Sequence, residues 1–197
     1  MTIDWGVAVQ AALAATVTGV DVRADMVKLC AEIAARSGFD RLFFEAALAG
    51  NAKASVRDVI IALHACDTAT DDALFQGIRA NADLIVAAPC CHKQIRKQMK
   101  PPPMMNDILK HGVMIERVAE TLTDGLRSLL LERSGYSTKL FEFVALEHTP
   151  KNNMLVGTRL KKPTEPEQFE QQIAEIKAFY GIEKQHLETL LKKSDPT

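Results

Sequence analysis

Two runs fix the fold: Val59-Ile60-Ile61-Ala62-Leu63 leads into His64-Ala65-Cys66-Asp67-Thr68-Ala69-Thr70-Asp71, and Leu84-Ile85-Val86-Ala87-Ala88 leads into Pro89-Cys90-Cys91-His92-Lys93. Each apolar run is short, continuous and bounded by polar residues, the pattern of a strand buried on both faces. The span from about Thr70 to Ala80 reads as a helix. A strand–helix–strand crossover is almost always right-handed, so the two strands lie parallel. Their polar ends then emerge at one edge of the sheet, the edge at which open α/β sheets bind ligands. The His, Cys and Asp residues delivered there form the candidate site.

The elements on either side extend the same pattern. Thr16 to Val22 is a β-branched strand ending at Asp21, followed by a helix from about Ala24 to Ser37, with Gly38 as its stop. Val27, Cys30, Ile33 and Ala34 share one face of that helix. Leu42 to Glu45 is a short strand, and Met1 to Ala15 is an Ala-rich helix. Beyond the decisive stretch, the triple proline Pro101-Pro102-Pro103 requires extended backbone. From Met114 to Glu132 the residues Ile115, Val118, Leu122, Leu126 and Leu129 recur at helical steps up to Gly135. Leu140 to Glu147 and Met154 to Leu160 read as an antiparallel pair joined by His148–Asn153. Thr164-Glu165-Pro166-Glu167 is a capping-box signature. It opens a helix carrying Phe169, Ile173, Ile176 and Tyr180, and after Gly181 a second helix carries Leu187, Leu190 and Leu191. The fold class is therefore α/β, with a mostly parallel sheet closed by a C-terminal antiparallel hairpin. One domain spans residues 1–162, and residues 163–197 form a helical extension.

Composition narrows the function. The 197 residues carry a formal net charge of −1, so no global charge marks a nucleic-acid binder. No apolar stretch is long enough for a membrane span. Trp5 to Val20 lacks the basic start of a signal peptide. Four cysteines, two of them adjacent, do not make a disulfide framework, so a cytoplasmic protein with reduced thiols is expected.

The order of elements, with Asp21 at the end of its first strand, resembles the class I S-adenosylmethionine-dependent methyltransferases. Leu63-His64-Ala65-Cys66-Asp67 with Thr70-Asp71, followed by Pro89-Cys90-Cys91-His92, resembles one methyltransferase family in particular. Its hallmark is a His-x-Cys…Thr segment and a later Cys-Cys-His, and the chain looks like its bacterial members. A similar pair of segments occurs in eukaryotic tRNA ribose 2′-O-methyltransferases acting in the acceptor stem. The resemblance covers roughly Thr16 to Arg159. It implies S-adenosyl-L-methionine as cofactor. Asp21 takes the ribose hydroxyls, as a carboxylate can accept two hydrogen bonds from a vicinal diol. Val22 and Arg23 flank the adenosine, Glu45 meets the adenine amino group, and His64 also lies at the cofactor.

The resemblance departs from its pattern before Thr16. The family's first strand and Gly-rich loop are not found there, which makes Thr16–Val22 the second strand of the fold. The second and fourth strands must then pair directly, or a gap must be filled. Weak or absent donor binding is expected, and low-micromolar affinity by calorimetry contradicts it.

Several roles remain open at the decisive edge. If the acceptor is an oxygen, a base must take its proton, and His64, Asp67 and His92 are candidates. Asp67 is also placed to cap the following helix, as are Thr68 and Thr70, while Asp71 and Asp72 suit its first turn. Pro89-Cys90 permits a cysteine nucleophile, as in cytosine-C5 methyltransferases. Zinc held by Cys66, Cys90, Cys91, His64 and His92 is a further option. It is disfavoured because neighbours in a strand point to opposite faces, so no metal is assigned. Lys93, Arg96 and Lys97, with Cys91 beside them, suit an RNA acceptor. A catalytically inactive, methyltransferase-like binding module is the alternative to an enzyme.

Overall fold

The computed structural model describes residues 15–51, 59–63, 65–143, 152–162 and 165–194. The expected N-terminal helix, His64 and Thr164 therefore fall wholly or mainly outside the described residues. The chain divides into two compact units, Met1–Lys53 and Ala54–Thr197. This partition differs from the expected one at residues 162 and 163: the C-terminal helices pack inside the second unit.

In the first unit, β1 (Val17–Asp21) pairs in parallel with β2 (Leu42–Ala46), and α1 (Ala24–Arg36) connects them. Gly38 ends the connection at φ +75°, a backbone conformation that glycine adopts without steric cost. Val20 pairs with Glu45 and Asp21 with Ala46, so Asp21 and Glu45 reach the same carboxyl edge. Of the face expected on α1, Ala34 is buried, whereas Ile33 is exposed.

The second unit holds a four-stranded sheet in the order β3 (Val59–Leu63), β4 (Leu84–Ala88), β6 (Asn153–Arg159), β5 (Tyr136–Glu142). β3 and β4 are parallel, and the β4–β6 and β6–β5 pairs are antiparallel. Across both sheets the described pairings thus divide evenly, two parallel and two antiparallel, where a mostly parallel sheet was expected. Among the described residues each of the two sheets is formed within one unit.

The crossover helix α2 (Thr68–Arg79) packs on β3 and β4. Gly77 lies within it because a β-carbon there would meet Ile85 Cδ1 at 2.6 Å. That close approach offsets the roughly 1 kcal/mol helix penalty of glycine. After β4 come α3 (Lys93–Gln98), an extended Pro102, a 3₁₀ turn at Pro103–Met105, and α4 (Asn106–Leu109). The long α5 (Gly112–Arg133) packs on β5 and β6. Then α6 (Pro166–Tyr180) packs on α5, and α7 (His186–Ser194) packs on α2. The N-cap of α6 is Glu165, whose own side chain makes no capping hydrogen bond, and the Thr164 of the expected capping box lies outside the described residues. Gly181 closes α6 in the left-handed conformation at φ 65°. Leu74, Ile85, Ala87, Leu126, Leu130 and Leu155 centre a core shared by sheet and helices. Among the described residues no helix is long and apolar enough to cross a membrane.

The hairpin strand expected at Leu140–Glu147 starts earlier, and residues 144–147 lie outside the described residues. β5 begins at Tyr136, immediately after Gly135, whose φ of +91° turns the chain out of α5. Tyr136 is buried, and its hydroxyl donates to the Ala82 carbonyl at 2.9 Å, which anchors the strand start.

Candidate active site

Each unit presents one parallel carboxyl edge. On the first, Asp21 Oδ1 accepts the Arg23 backbone N–H at 2.9 Å and Arg23 Nε–H at 3.2 Å, and Arg23 Nη2 lies 3.4 Å from Oδ2. These hydrogen bonds hold the Asp21 carboxyl below its ordinary range. The pair is open to solvent, with Asp21 at 41% and Arg23 at 61% side-chain exposure. Val22 is exposed beside it. An ionised, accessible carboxylate at a strand end fits a sugar diol, provided that the exposed Arg23 side chain yields its two longer contacts. The residues present therefore fit the ribose end of S-adenosylmethionine.

On the second edge the structure brings together the turns after β3 and β4. Cys66 Sγ lies 3.6 Å from Cys90 Sγ, and Cys90 Sγ lies 3.7 Å from Cys91 Sγ. The expectation that adjacent cysteines must diverge fails for a physical reason: β4 stops at Ala88, so strand alternation does not govern Cys90 and Cys91. Cys66 is exposed, while Cys90 and Cys91 are half-buried. Burial, and then the neighbouring Cys66 and Cys91, push the Cys90 thiol from 9.0 up to about 12. A thiol held that firmly is a poor nucleophile near neutrality, which counts against covalent attack by Cys90.

Asp67 immediately precedes α2 at φ 52° and ψ −117°, a region that residues with a β-carbon rarely adopt. Its side chain does not cap α2. Instead Oδ1 accepts the Gln94 backbone N–H at 3.1 Å, joining the turn after β3 to the start of α3. The Thr70 hydroxyl donates to the Ala65 carbonyl, closing the same turn.

Beneath this edge lies a buried ion network. Arg127 reaches Asp71 through Nε at 3.1 Å and Nη2 at 3.0 Å, Asp124 through Nη1 at 3.1 Å, and the Asp67 carbonyl at 2.8 Å. Burial works against the guanidinium charge, but Asp71 and Asp124 outweigh it and raise the Arg127 pKa above its ordinary value. Gln185 donates to Asp71 Oδ1 at 2.7 Å, bringing α7 into the network. Asp71 is thus no surface partner of the helix dipole, whereas Asp72 meets His186 at 2.8 Å nearer the surface.

His92 belongs to this layer rather than to the edge. Its ring is fully buried, with Nε2 3.3 Å from Asp124 Oδ1, inside ion-pair range but off the line of a hydrogen bond. A ring closed off in this way is out of reach of a bulky acceptor, which counts against the expected role of His92 as a base. Lys93, Arg96 and Lys97 are exposed on α3, with Arg96 engaged by Glu116 at 2.8 Å. His64 lies outside the described residues, and Glu45 is half-buried on β2.

Asp124, Arg127, Gln94 and Gln185 were not anticipated from sequence. The available signal was in α5, where Asp124 and Arg127 lie one turn apart between Ala119, Thr123, Leu126, Leu130 and Leu131, all buried.

Residues 6–98 match the family model described as a methyltransferase domain, a span of just under half the chain. The span contains every candidate site residue from Asp21 to Lys97. No curated protein matches the chain. Among solved structures the YcgJ protein from Bacillus subtilis aligns over 82% of this chain and 67% of its own length, at 12% identity and a TM-score of 0.37.

Proposed function

We propose that the chain is an S-adenosylmethionine-dependent methyltransferase whose acceptor is RNA, with the 2′-hydroxyl of a tRNA ribose as the favoured atom. The observation that carries methyl transfer is the methyltransferase-domain match over residues 6–98, which encloses both carboxyl edges and their polar residues, while the RNA acceptor rests on the resemblance of the His64–Asp71 and Pro89–His92 segments. Asp21, Val22, Arg23 and Glu45 hold the donor's nucleoside. S-adenosylmethionine, when bound, supplies an electrophilic methyl group. Asp67 accepts the hydroxyl proton, its carboxylate oriented by the Gln94 N–H and its backbone held by Arg127. Lys93 and Lys97, with Arg96, meet RNA phosphates. Positioning supplies most of the acceleration in such an in-line displacement.

Saturation-transfer NMR, which registers weak binders, tests the donor site. Asp21→Asn removes a charged acceptor and should weaken donor binding roughly tenfold or more. Equal binding by the variant removes Asp21 from the site. Mass spectrometry of digested unmodified tRNA should then reveal a new 2′-O-methyl nucleoside, lost in Asp67→Asn. A methylated base in its place would overturn the ribose assignment.

A further inference from the structure

We propose that Cys66, Cys90 and Cys91 form a three-thiolate site for a soft d¹⁰ cation of the zinc class, with a fourth position open to solvent or ligand. The argument is geometric. A tetrahedral zinc ion with Zn–S bonds of about 2.3 Å sets its sulfurs roughly 3.8 Å apart. The two closest sulfur pairs here are 3.6 and 3.7 Å apart, and all three sulfurs lie within 4.8 Å of one another. The spacing is already close to that of a coordination tetrahedron, although the three residues come from the ends of two different strands.

The surroundings hold this arrangement in place. Asp67, next to Cys66, is tied to Gln94 and Arg127, which sets the first turn against the segment carrying Cys90 and Cys91. Among the described residues no other His, Cys, Asp or Glu ligand atom joins the group. Cys66 is exposed, so the cluster is accessible to an ion from solvent. Three protein ligands with one open position is the pattern of reactive rather than purely structural zinc sites. Sulfur donors select zinc-class or cuprous ions over calcium or magnesium. Binding replaces three thiol protons: one Zn²⁺, three neutral thiols and one water give a tri-thiolate aqua complex of charge −1 and release three protons. Affinity should therefore rise steeply with pH.

The test needs neither methyl donor nor acceptor, so its outcome is independent of the methyltransferase proposal. The full chain is stripped of metal under a non-thiol reductant and titrated with Co²⁺, then with Zn²⁺. The expected result is a thiolate charge-transfer band with tetrahedral d–d absorption, saturating at one equivalent, bleached by Zn²⁺ and accompanied by proton release. Cys66→Ser, at an exposed position, should keep the native circular dichroism and lower Co²⁺ affinity at least about tenfold. Cys91→Ser should do the same, and Cys30→Ser, in the other unit, should change nothing. An absent charge-transfer band overturns the site. So does a band that persists at full affinity in Cys66→Ser and Cys91→Ser, or one that Cys30→Ser weakens as much.

Discussion

The two carboxyl edges use similar chemistry on very different foundations. At the β1–β2 edge, Asp21 is held by a residue two positions away, and both partners face solvent. Among the described residues of that unit only Ala34 is fully buried. At the β3–β4 edge, Asp67 is held by Arg127, sixty positions along the chain and fully buried. That edge stands on a four-stranded sheet with a continuous core. The contrast teaches that one edge can rearrange around a ligand at little cost, while the other is set before any ligand arrives. Rigid preorganisation suits the place where reacting atoms must be aligned. An adaptable edge suits the donor-holding role proposed for Asp21 and its neighbours.

The contrast is broken most severely at Arg127. Arg127→Met leaves Asp71 and Asp124 buried without their cation, and losing one partner of a buried pair costs about 3–5 kcal/mol. The denaturation midpoint of the second unit should fall accordingly. Co²⁺ binding by the three cysteines should weaken with it, because the Asp67 turn loses its anchor. A midpoint unchanged within error would mean that the network does not brace this edge.

Much of the second unit was legible in the sequence, but its foundation was not. The strands 59–63 and 84–88 were plain because unbroken β-branched and alanine runs end at polar turns. The helix 112–133 was plain from its leucines, and Leu126 is buried as that stripe requires, but the polar part of its buried face was not legible. Ile115, Val118, Leu122 and Leu129 are only half-buried, whereas Thr123, Asp124 and Arg127 are enclosed. Periodicity assigns charged residues to solvent, and only a partner far along the chain, here Asp71, reverses that assignment. The meeting of Cys90 and Cys91 was hidden for a different reason. It depends on the strand ending two residues early enough to free both side chains from alternation.

Cys90 gives the next largest effect. Its thiol is pushed from 9.0 up to about 12, first by burial and then by Cys66 and Cys91. The folded state thus keeps a proton that the unfolded chain gives up near pH 9. The contribution to stability is present below that pH and is lost as pH rises toward 12. In the metal-free protein at pH 8, alkylation of Cys90 by iodoacetamide should be at least about tenfold slower in the native state than in urea. Equal rates would show a thiol unconstrained by its neighbours, and the second edge would then be as loose as the first.

A smaller effect separates strain from contact at Asp67. Asp67→Ala loses the acceptor for the Gln94 N–H and retains a β-carbon at φ 52°, and should cost about 1–2 kcal/mol. Asp67→Gly loses the same acceptor but relaxes the backbone, and should be roughly 1 kcal/mol more stable than the alanine variant. Urea denaturation of the pair decides the matter, since the reverse order would remove strain from the account of this turn.

The smallest expected change lies at Arg23, and it is the sharpest control. Arg23→Ala should lower the denaturation midpoint only slightly, because both members of the pair face water and solvent screens them. What should move is Asp21 itself. Its carboxyl is held low chiefly by the Arg23 side chain, so the folded-state pKa is depressed. The associated stability is present above the ordinary carboxyl range and lost as pH falls through the depressed value. In Arg23→Ala the Asp21 carboxyl, followed by NMR, should titrate closer to its ordinary value. Donor binding should weaken less than in Asp21→Asn, since losing the Arg23 contact to the nucleoside is partly offset by freeing the Asp21 oxygens for the diol. A midpoint that fell as far as that of Arg127→Met would mean that Arg23 braces the first edge as Arg127 braces the second, and the difference between the two edges would vanish.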